Sequence, residues 1–287
     1  MINLDKKLDE QELGLVASQM RRDIIRMVTS AQSGHPGGSM SSTDLVASLF
    51  FNVMEIEPKN WTRSGKGEDM FFLSAGHLAP VLYTALARRG YFPVSELATL
   101  RQFGSRLQGH PSVEHGLPGV YMASGSLGQG LSVATGAALS KKLDKDSKIV
   151  YTLLGDGESE EGQIWEAAMF AANHKVDNLI AITDWNNQQI DGEASVVGGI
   201  GDLKAKWEAF GWTVFTCDGN CISSVLETLA RAKASLGAGK PIMILARTCM
   251  GKGVDFMEGT CAWHGKAPKP EQAEQALAQL KETLGDY

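Results

Sequence analysis

LLGDGESEEGQIWEAAMFAANH, residues 153–174, followed by LIAITDWNNQQIDG, residues 179–192, decides how this chain folds. An apolar run stops at Gly155-Asp156-Gly157, gives way to a helix-like stretch, and recovers as a second apolar run that ends on Asn186 and Asn187. About 28 residues separate Gly157 from Asn186, room for the helix and strand that a βαβ crossover between parallel strands requires. Both strand ends then reach one edge of the sheet, where ligands of open α/β sheets collect. Asp156 and Asn186 become two oxygen-bearing stations at that edge.

The same alternation continues outward. Leu13, Val16, Met20, Ile24 and Met27 recur at helical spacing over residues 10–31, and a second apolar helix is predicted over 44–54. Between them AQSGHPGGSMSS reads as a Gly-rich link with His35 in a tight turn, after which SSTD offers a helix N-cap. DMFFLSAGH reads as a short buried strand followed by the helix LAPVLYTALARRGYF, and GSLGQGLSVATGAALSKKL as a small-residue helix suited to close packing. Further strands are predicted at 148–154, 179–184, 213–217 and 241–247, with helical stretches intervening. This implies an α/β fold with a mainly parallel sheet covered by helices on both faces. No repeat, low-complexity segment or linker divides the 287 residues, so one domain is the simpler reading.

A net charge of -6 argues against a chain dominated by nucleic-acid contacts. The charged amino-terminal stretch lacks the apolar core of a signal peptide, and no run reaches the roughly 18 apolar residues of a membrane span. The expectation is a cytoplasmic protein with no membrane contact. Cys217, Cys221, Cys249 and Cys261 are too irregular for a disulfide framework or a common zinc pattern and read as reduced, structural thiols.

One carboxylate, one carboxamide and a main-chain carbonyl form a hard-oxygen set for Mg2+ or Ca2+, completed by phosphate and water. Gly157 would let the main chain approach phosphate oxygens, beside a helix beginning near Ser159. Either tripeptide or asparagine pair alone is also ordinary turn chemistry; their joint placement after two apolar runs is the stronger signal. Glu158 and Glu160 suit a helix N-terminus, whereas Glu161 and Glu166 suit a buried acid cluster in which one carboxylate raises its neighbour's pKa. Of six histidines, His35, His77, His110 and His264 lie in Gly- or Pro-flanked turns. Imidazoles so placed exchange protons near neutral pH or hydrogen-bond phosphate and hydroxyl oxygens. His115 and His174 lack that setting and read as structural.

Together these motifs, with MRRDIIRMVTSAQSGHPGGSMS, GSLGQG, GDGESEEGQIWEAA, DWNNQQIDG and WHGKAP in order, make the sequence resemble the amino-terminal, diphosphate-binding half of transketolase over nearly its whole length. The resemblance implies a three-layer α/β/α thiamin diphosphate-binding fold, residues 1–287 forming a single diphosphate-binding domain. It implies thiamin diphosphate with Mg2+ or Ca2+, and transfer of a two-carbon ketol unit from a ketose phosphate to an aldose phosphate. Asp156, Asn186 and the main-chain carbonyl of Gln188 match the metal ligands; Gly157, His77 and His264 match diphosphate contacts; Gly125 and Leu127 match the loop that meets the aminopyrimidine ring. His35, His110 and His264 resemble the residues around the donor's hydroxyls, with His264 assisting proton removal, and Glu161 and Glu166 match an acidic network between paired active sites.

Ser126 stands where many members of the family have proline, which leaves the loop less rigid. The family's pyrimidine-binding domain supplies the glutamate that bonds the aminopyrimidine N1' and much of the sugar-phosphate site, and those residues do not occur here. The expectation is a split transketolase: this chain with a separate carboxy-terminal, pyrimidine-binding subunit, as an α2β2 assembly acting on sugar phosphates. Rival readings are the α-type subunit of another split thiamin enzyme, such as a 2-oxo acid dehydrogenase, and a non-catalytic binding partner.

Overall fold

The computed structural model describes residues 2–4 and 6–287, so Met1 and Asp5 of the 1–287 span lie outside it. Helix α1 (Glu10–Ala31) starts at a reciprocal cap: Asp9 Oδ1 accepts from Glu12 N–H, and Glu12 Oε2 accepts from Asp9 N–H. Its predicted stripe of Leu13, Val16, Met20, Ile24 and Met27 is fully buried. Two short helices, α2 (Pro36–Ser41) and α3 (Thr43–Ser48), follow, and Leu49–Val53 widens into a π turn. Strand β1 (Met70–Leu73), α4 (Ala79–Arg89), α5 (Gly130–Leu143), β2 (Val150–Gly155), α6 (Gly162–Asn173) and β3 (Leu179–Trp185) build the part of the sheet that holds the stations. The hairpin β4 (Gln188–Gln189) and β5 (Gly192–Glu193), then α7 (Ala194–Val197) and α8 (Leu203–Ala209), precede β6 (Thr213–Asp218), α9 (Ile222–Ala234), β7 (Ile242–Arg247) and α10 (Pro270–Gln279).

The five long strands run parallel in the order β1-β2-β3-β7-β6. Alternate side chains divide between two cores. Tyr151, Leu153, Ile180, Ile182, Ile242 and Ile244 join residues of α1, α3, α4 and α9 on one face. Val150, Leu154, Leu179, Ala181, Met243 and Leu245 join α5, α6 and α8 on the other. The result is a three-layer α/β/α sandwich in which β1, β2, β3 and β7 are buried on both sides and read as continuous apolar runs, while the edge strand β6 is only half-buried. Among the described residues no helix is long and apolar enough to cross a membrane.

Two local expectations are corrected. The segment after His35 is helical from Pro36, not a link, and Ser42 of SSTD stands at the N-cap of α3 as expected but makes no side-chain capping bond. Proline at the first helical position costs no hydrogen bond, and the hydroxyls of Ser39, Ser42 and Thr43 donate one turn back to the carbonyls of His35, Gly38 and Ser39. The helix expected near Ser159 is instead a 3-10 turn, Gly157–Glu160, and α6 begins only at Gly162.

Candidate active site

In the β2–β3 register Gly155 faces Asp184, so Asp156 and Asn186 leave the sheet at one edge, as the spacing predicts. Asp156 is 2% exposed. Its Oδ1 accepts from Gly157 N–H at 2.8 Å and its Oδ2 from Asn187 N–H, locking the turn and the second strand end together. Asn186 Nδ2 donates to Asp184 Oδ2 at 2.9 Å, which turns its Oδ1 away to accept from Gln188 N–H at 2.8 Å. Asp184, read from sequence only as a strand end, is fully enclosed and also accepts from Ser41 Oγ at 2.6 Å and from Thr248 Oγ1. Burial and the neighbouring Asp184 push Asp156 up to about 7, and burial pushes Asp184 up to about 6 against those hydrogen bonds. Two enclosed carboxylates that disfavour each other's charge, beside a carboxamide oxygen, are a donor set that a hard divalent cation would relieve. Gly157 leaves the space next to them clear: a Cβ there would touch Gln189 Cβ at 3.4 Å.

Across the cavity the four turn histidines converge. His35 lies with its ring centroid 5.2 Å from His77, 6.1 Å from His110 and 5.7 Å from His264, and His77 stacks on His264 at 5.1 Å. Glycines permit the approach: a Cβ on Gly37 would lie 2.8 Å from the Trp263 carbonyl oxygen, and one on Gly38 would lie 2.5 Å from Leu78 Cδ2. Burial lowers every one of these imidazoles, His35 to about 4 and His77 to about 3, with His110 and His264 shifted the same way. They are therefore neutral at pH 7, each able to donate from one nitrogen and accept at the other. Nδ1 of His35 and of His264 is buried with no partner in the protein, so each ring keeps one hydrogen-bonding capacity unmet. Among the described residues no group of three or more His, Cys, Asp or Glu is arranged to hold a metal.

One cavity of about 380 Å³ gathers His35, His77, His110, His264, Asp156, Asn186, Gln188, Gly157, Gly125, Leu127 and Glu161. Of the sequence-predicted site residues it leaves out Glu166. The buried acid cluster expected of Glu161 and Glu166 does not form, since both are exposed in this chain. The cause is the late start of α6: from Gly162 onward Ile164, Ala167, Ala168 and Ala171 occupy its buried stripe, which turns Glu166 outward. Glu166 instead borders a groove between α5 and α6, near exposed Met169 and Phe170. The enclosed acid is Glu158, for which the sequence suggests only a helix-end role. Outside the cavity, His115 is exposed and His174 stacks on Phe170 at 4.0 Å.

A family profile described as transketolase, thiamine diphosphate binding domain, matches residues 14–286. The chain belongs to the transketolase family. It is 41% identical over 281 residues to the 6-deoxy-6-sulfo-D-fructose transketolase subunit of Clostridium sp. (strain MSTE9), covering 96% of this chain and 98% of that one. It is 40% identical over 276 residues to an apulose-4-phosphate transketolase subunit from Actinobacillus succinogenes, again covering 96% and 98%. The crystal structure of transketolase from Campylobacter jejuni superposes with a TM-score of 0.87 at 32% identity, covering 95% of this chain but 43% of that one. This chain thus spans less than half of that transketolase. The family match sets aside the 2-oxo acid dehydrogenase alternative.

Proposed function

We propose that this chain is the diphosphate-binding subunit, a single domain over residues 1–287, of a two-chain transketolase. It works with a separate carboxy-terminal, pyrimidine-binding subunit, as an α2β2 assembly with active sites at the subunit boundary. The reaction moves a two-carbon ketol group from a ketose phosphate to an aldose phosphate. The observation that carries this reading is the near end-to-end match to relatives named as transketolase subunits, joined to one cavity that combines strand-end oxygens with four neutral imidazoles. Those relatives are named for a sulfonated ketose and a ketose phosphate, which supports a donor with an anionic far end.

In this reading the side chains of Asp156 and Asn186 and the carbonyl of Gln188 hold Mg2+ or Ca2+, and Gly157, His77 and His264 meet the diphosphate. The main chain at Gly125 and Leu127 meets the aminopyrimidine ring. Thiamin diphosphate, when bound, would supply the electron sink that carbon-carbon cleavage requires. His35, His110 and His264 hydrogen-bond the sugar hydroxyls, and a neutral His264 accepts a hydroxyl proton as the bond breaks and returns it as the new bond forms. Glu161 and Glu166 face the partner, and their exposure in the lone chain fits residues that a second chain covers. Four free cysteines fit a reducing, cytoplasmic setting.

The test is co-expression with a pyrimidine-binding partner, followed by a ketol-transfer assay with a panel of ketose phosphates. Turnover by the complex and none by either chain alone is the expected result. Transfer at an ordinary enzyme rate by this chain alone would sink the two-chain reading.

A further inference from the structure

Glu158 has no part in the roles above, yet it is the acid built most deeply into the site. Its side chain is 2% exposed and collects hydrogen bonds from three separate segments. Ser74 Oγ, just after β1, donates to Oε1 at 2.5 Å; Gly128 N–H donates to Oε1 at 2.8 Å; Gly155 N–H, at the end of β2, donates to Oε2 at 3.0 Å. Two of these segments are held independently. Gly155 belongs to the β2–β3 ladder, and Ser74 N–H donates to the Leu153 carbonyl at 2.9 Å. Gly128 has no ladder behind it: it sits at φ 82° in a stretch that is neither helix nor strand. The loop leaves through Gly130, where a Cβ would lie 2.4 Å from Ser74 Cβ, so its exit is already pressed against the end of β1. The bond from Gly128 to Glu158 therefore sets where the preceding residues 125–127 stand relative to the Asp156-Gly157 turn two residues before Glu158.

We infer that Glu158 is a positioning residue that fixes the loop 125–128 at a set distance from the diphosphate station, so that a cofactor gripped at its phosphate end meets the loop for its ring in register. The inference rests on the thiamin diphosphate reading given above. A shared anchor of this kind acts on ligands that span both stations and is indifferent to one that fills the diphosphate station alone.

The test compares two probes by calorimetry on the complex of this chain with its pyrimidine-binding partner, thiamin diphosphate with Mg2+ and inorganic pyrophosphate with Mg2+, alongside amide hydrogen exchange. Glu158→Ala strands the Gly128 N–H together with the Gly155 N–H and the Ser74 hydroxyl; of these only Gly128 lacks a second support, and a buried donor left without its acceptor gives an expected weakening for thiamin diphosphate of about 10-fold or more. Pyrophosphate affinity stays within about threefold of wild type, because its contacts do not include the loop. Exchange rises in residues 125–131 and not across the sheet. Glu158→Gln keeps the volume and one accepting oxygen, so its effects fall between wild type and Glu158→Ala; it carries the test where the alanine variant does not fold. Equal losses for the two probes, or unchanged exchange in 125–131, would overturn the positioning role. A wild-type complex that takes neither probe would instead overturn the cofactor reading, and the inference with it.

Discussion

The sharpest physical consequence of the imidazole cluster is a pH-dependent stability carried by His77. Its ring is stacked on His264 and edge-on to His35, and burial lowers it to about 3 from an ordinary value of 6.5. Below pH 6.5 the unfolded chain takes up a proton at this residue while the folded chain does not until about pH 3, so the folded state loses stability as pH falls through that window. Going from pH 7 to pH 5 the loss is about 2 kcal/mol, from roughly 1.4 decades of differential proton binding at 1.36 kcal/mol each. Asp156 and Asp184 act in the opposite sense. Their raised values make the folded chain the better proton acceptor, a contribution complete at low pH and lost as pH rises through about 6 and 7. The wild-type profile therefore mixes opposing slopes, and only a difference isolates the histidine. His77→Gln removes the titration while keeping a polar side chain. Urea unfolding at pH 7 and pH 5 should show the variant gaining about 2 kcal/mol on wild type over that interval, near 0.7 M in midpoint for a slope of about 3 kcal/mol/M. Parallel profiles within about 0.5 kcal/mol would mean that the ring is hydrated and that the neutral-imidazole account of the site is wrong.

Three further outcomes follow from individual contacts. Asp156→Ala should abolish Mg2+-dependent binding of thiamin diphosphate to the assembled complex, and full affinity by calorimetry would reject Asp156 as a ligand. His264→Ala should lower kcat by about 100-fold or more with a smaller change in cofactor affinity, as expected for a group that moves a proton; unchanged turnover would remove it from the chemistry. Gly76→Ala places a Cβ 1.7 Å from the Ser124 carbonyl oxygen, so it should destabilise the chain by about 3 kcal/mol or more, read as a lower melting temperature.

What the sequence disclosed and what it hid divide along physical lines. Strands β2, β3 and β7 are buried on both faces and announce themselves as apolar runs, and α1 shows its stripe because polar residues separate its apolar ones, several of them, such as Arg21 and Asp23, buried in ion pairs. Asp156 and Asn186 were legible because their place depends only on the lengths of the pieces between two strand ends. Glu158 was not. Four residues in the run 158–161 include three chemically identical acids, and which one is enclosed depends on a 3-10 turn that no local pattern distinguishes from a first α-helical turn. Asp184 was hidden differently, since the partner that defines it, Ser41, is 143 residues away in sequence. An acid at the end of an apolar run, in register with Gly155, was the available signal.

The outward turn of Glu166 separates what holds this chain together from what assembles it. Helix α6 already commits Ile164, Ala167, Ala168 and Ala171 to the core, and the neighbouring Met169 and Phe170 remain 54% and 47% exposed, with Val133 of α5 at 42%. Side chains that bury nothing in the lone chain contribute little to its stability, but apolar ones become costly to charge once a second chain covers them. Met169→Lys should therefore leave the urea midpoint of this chain unchanged within about 0.5 kcal/mol while shifting the assembled enzyme toward smaller species in sedimentation. If the variant assembles as well as wild type, the outward side of α6 that carries Glu166 and Met169 is not where the subunits meet, and Glu166 loses its place in an acidic network between active sites. If it unfolds the lone chain instead, Met169 belongs to the core and the burial pattern assigned to α6 is wrong.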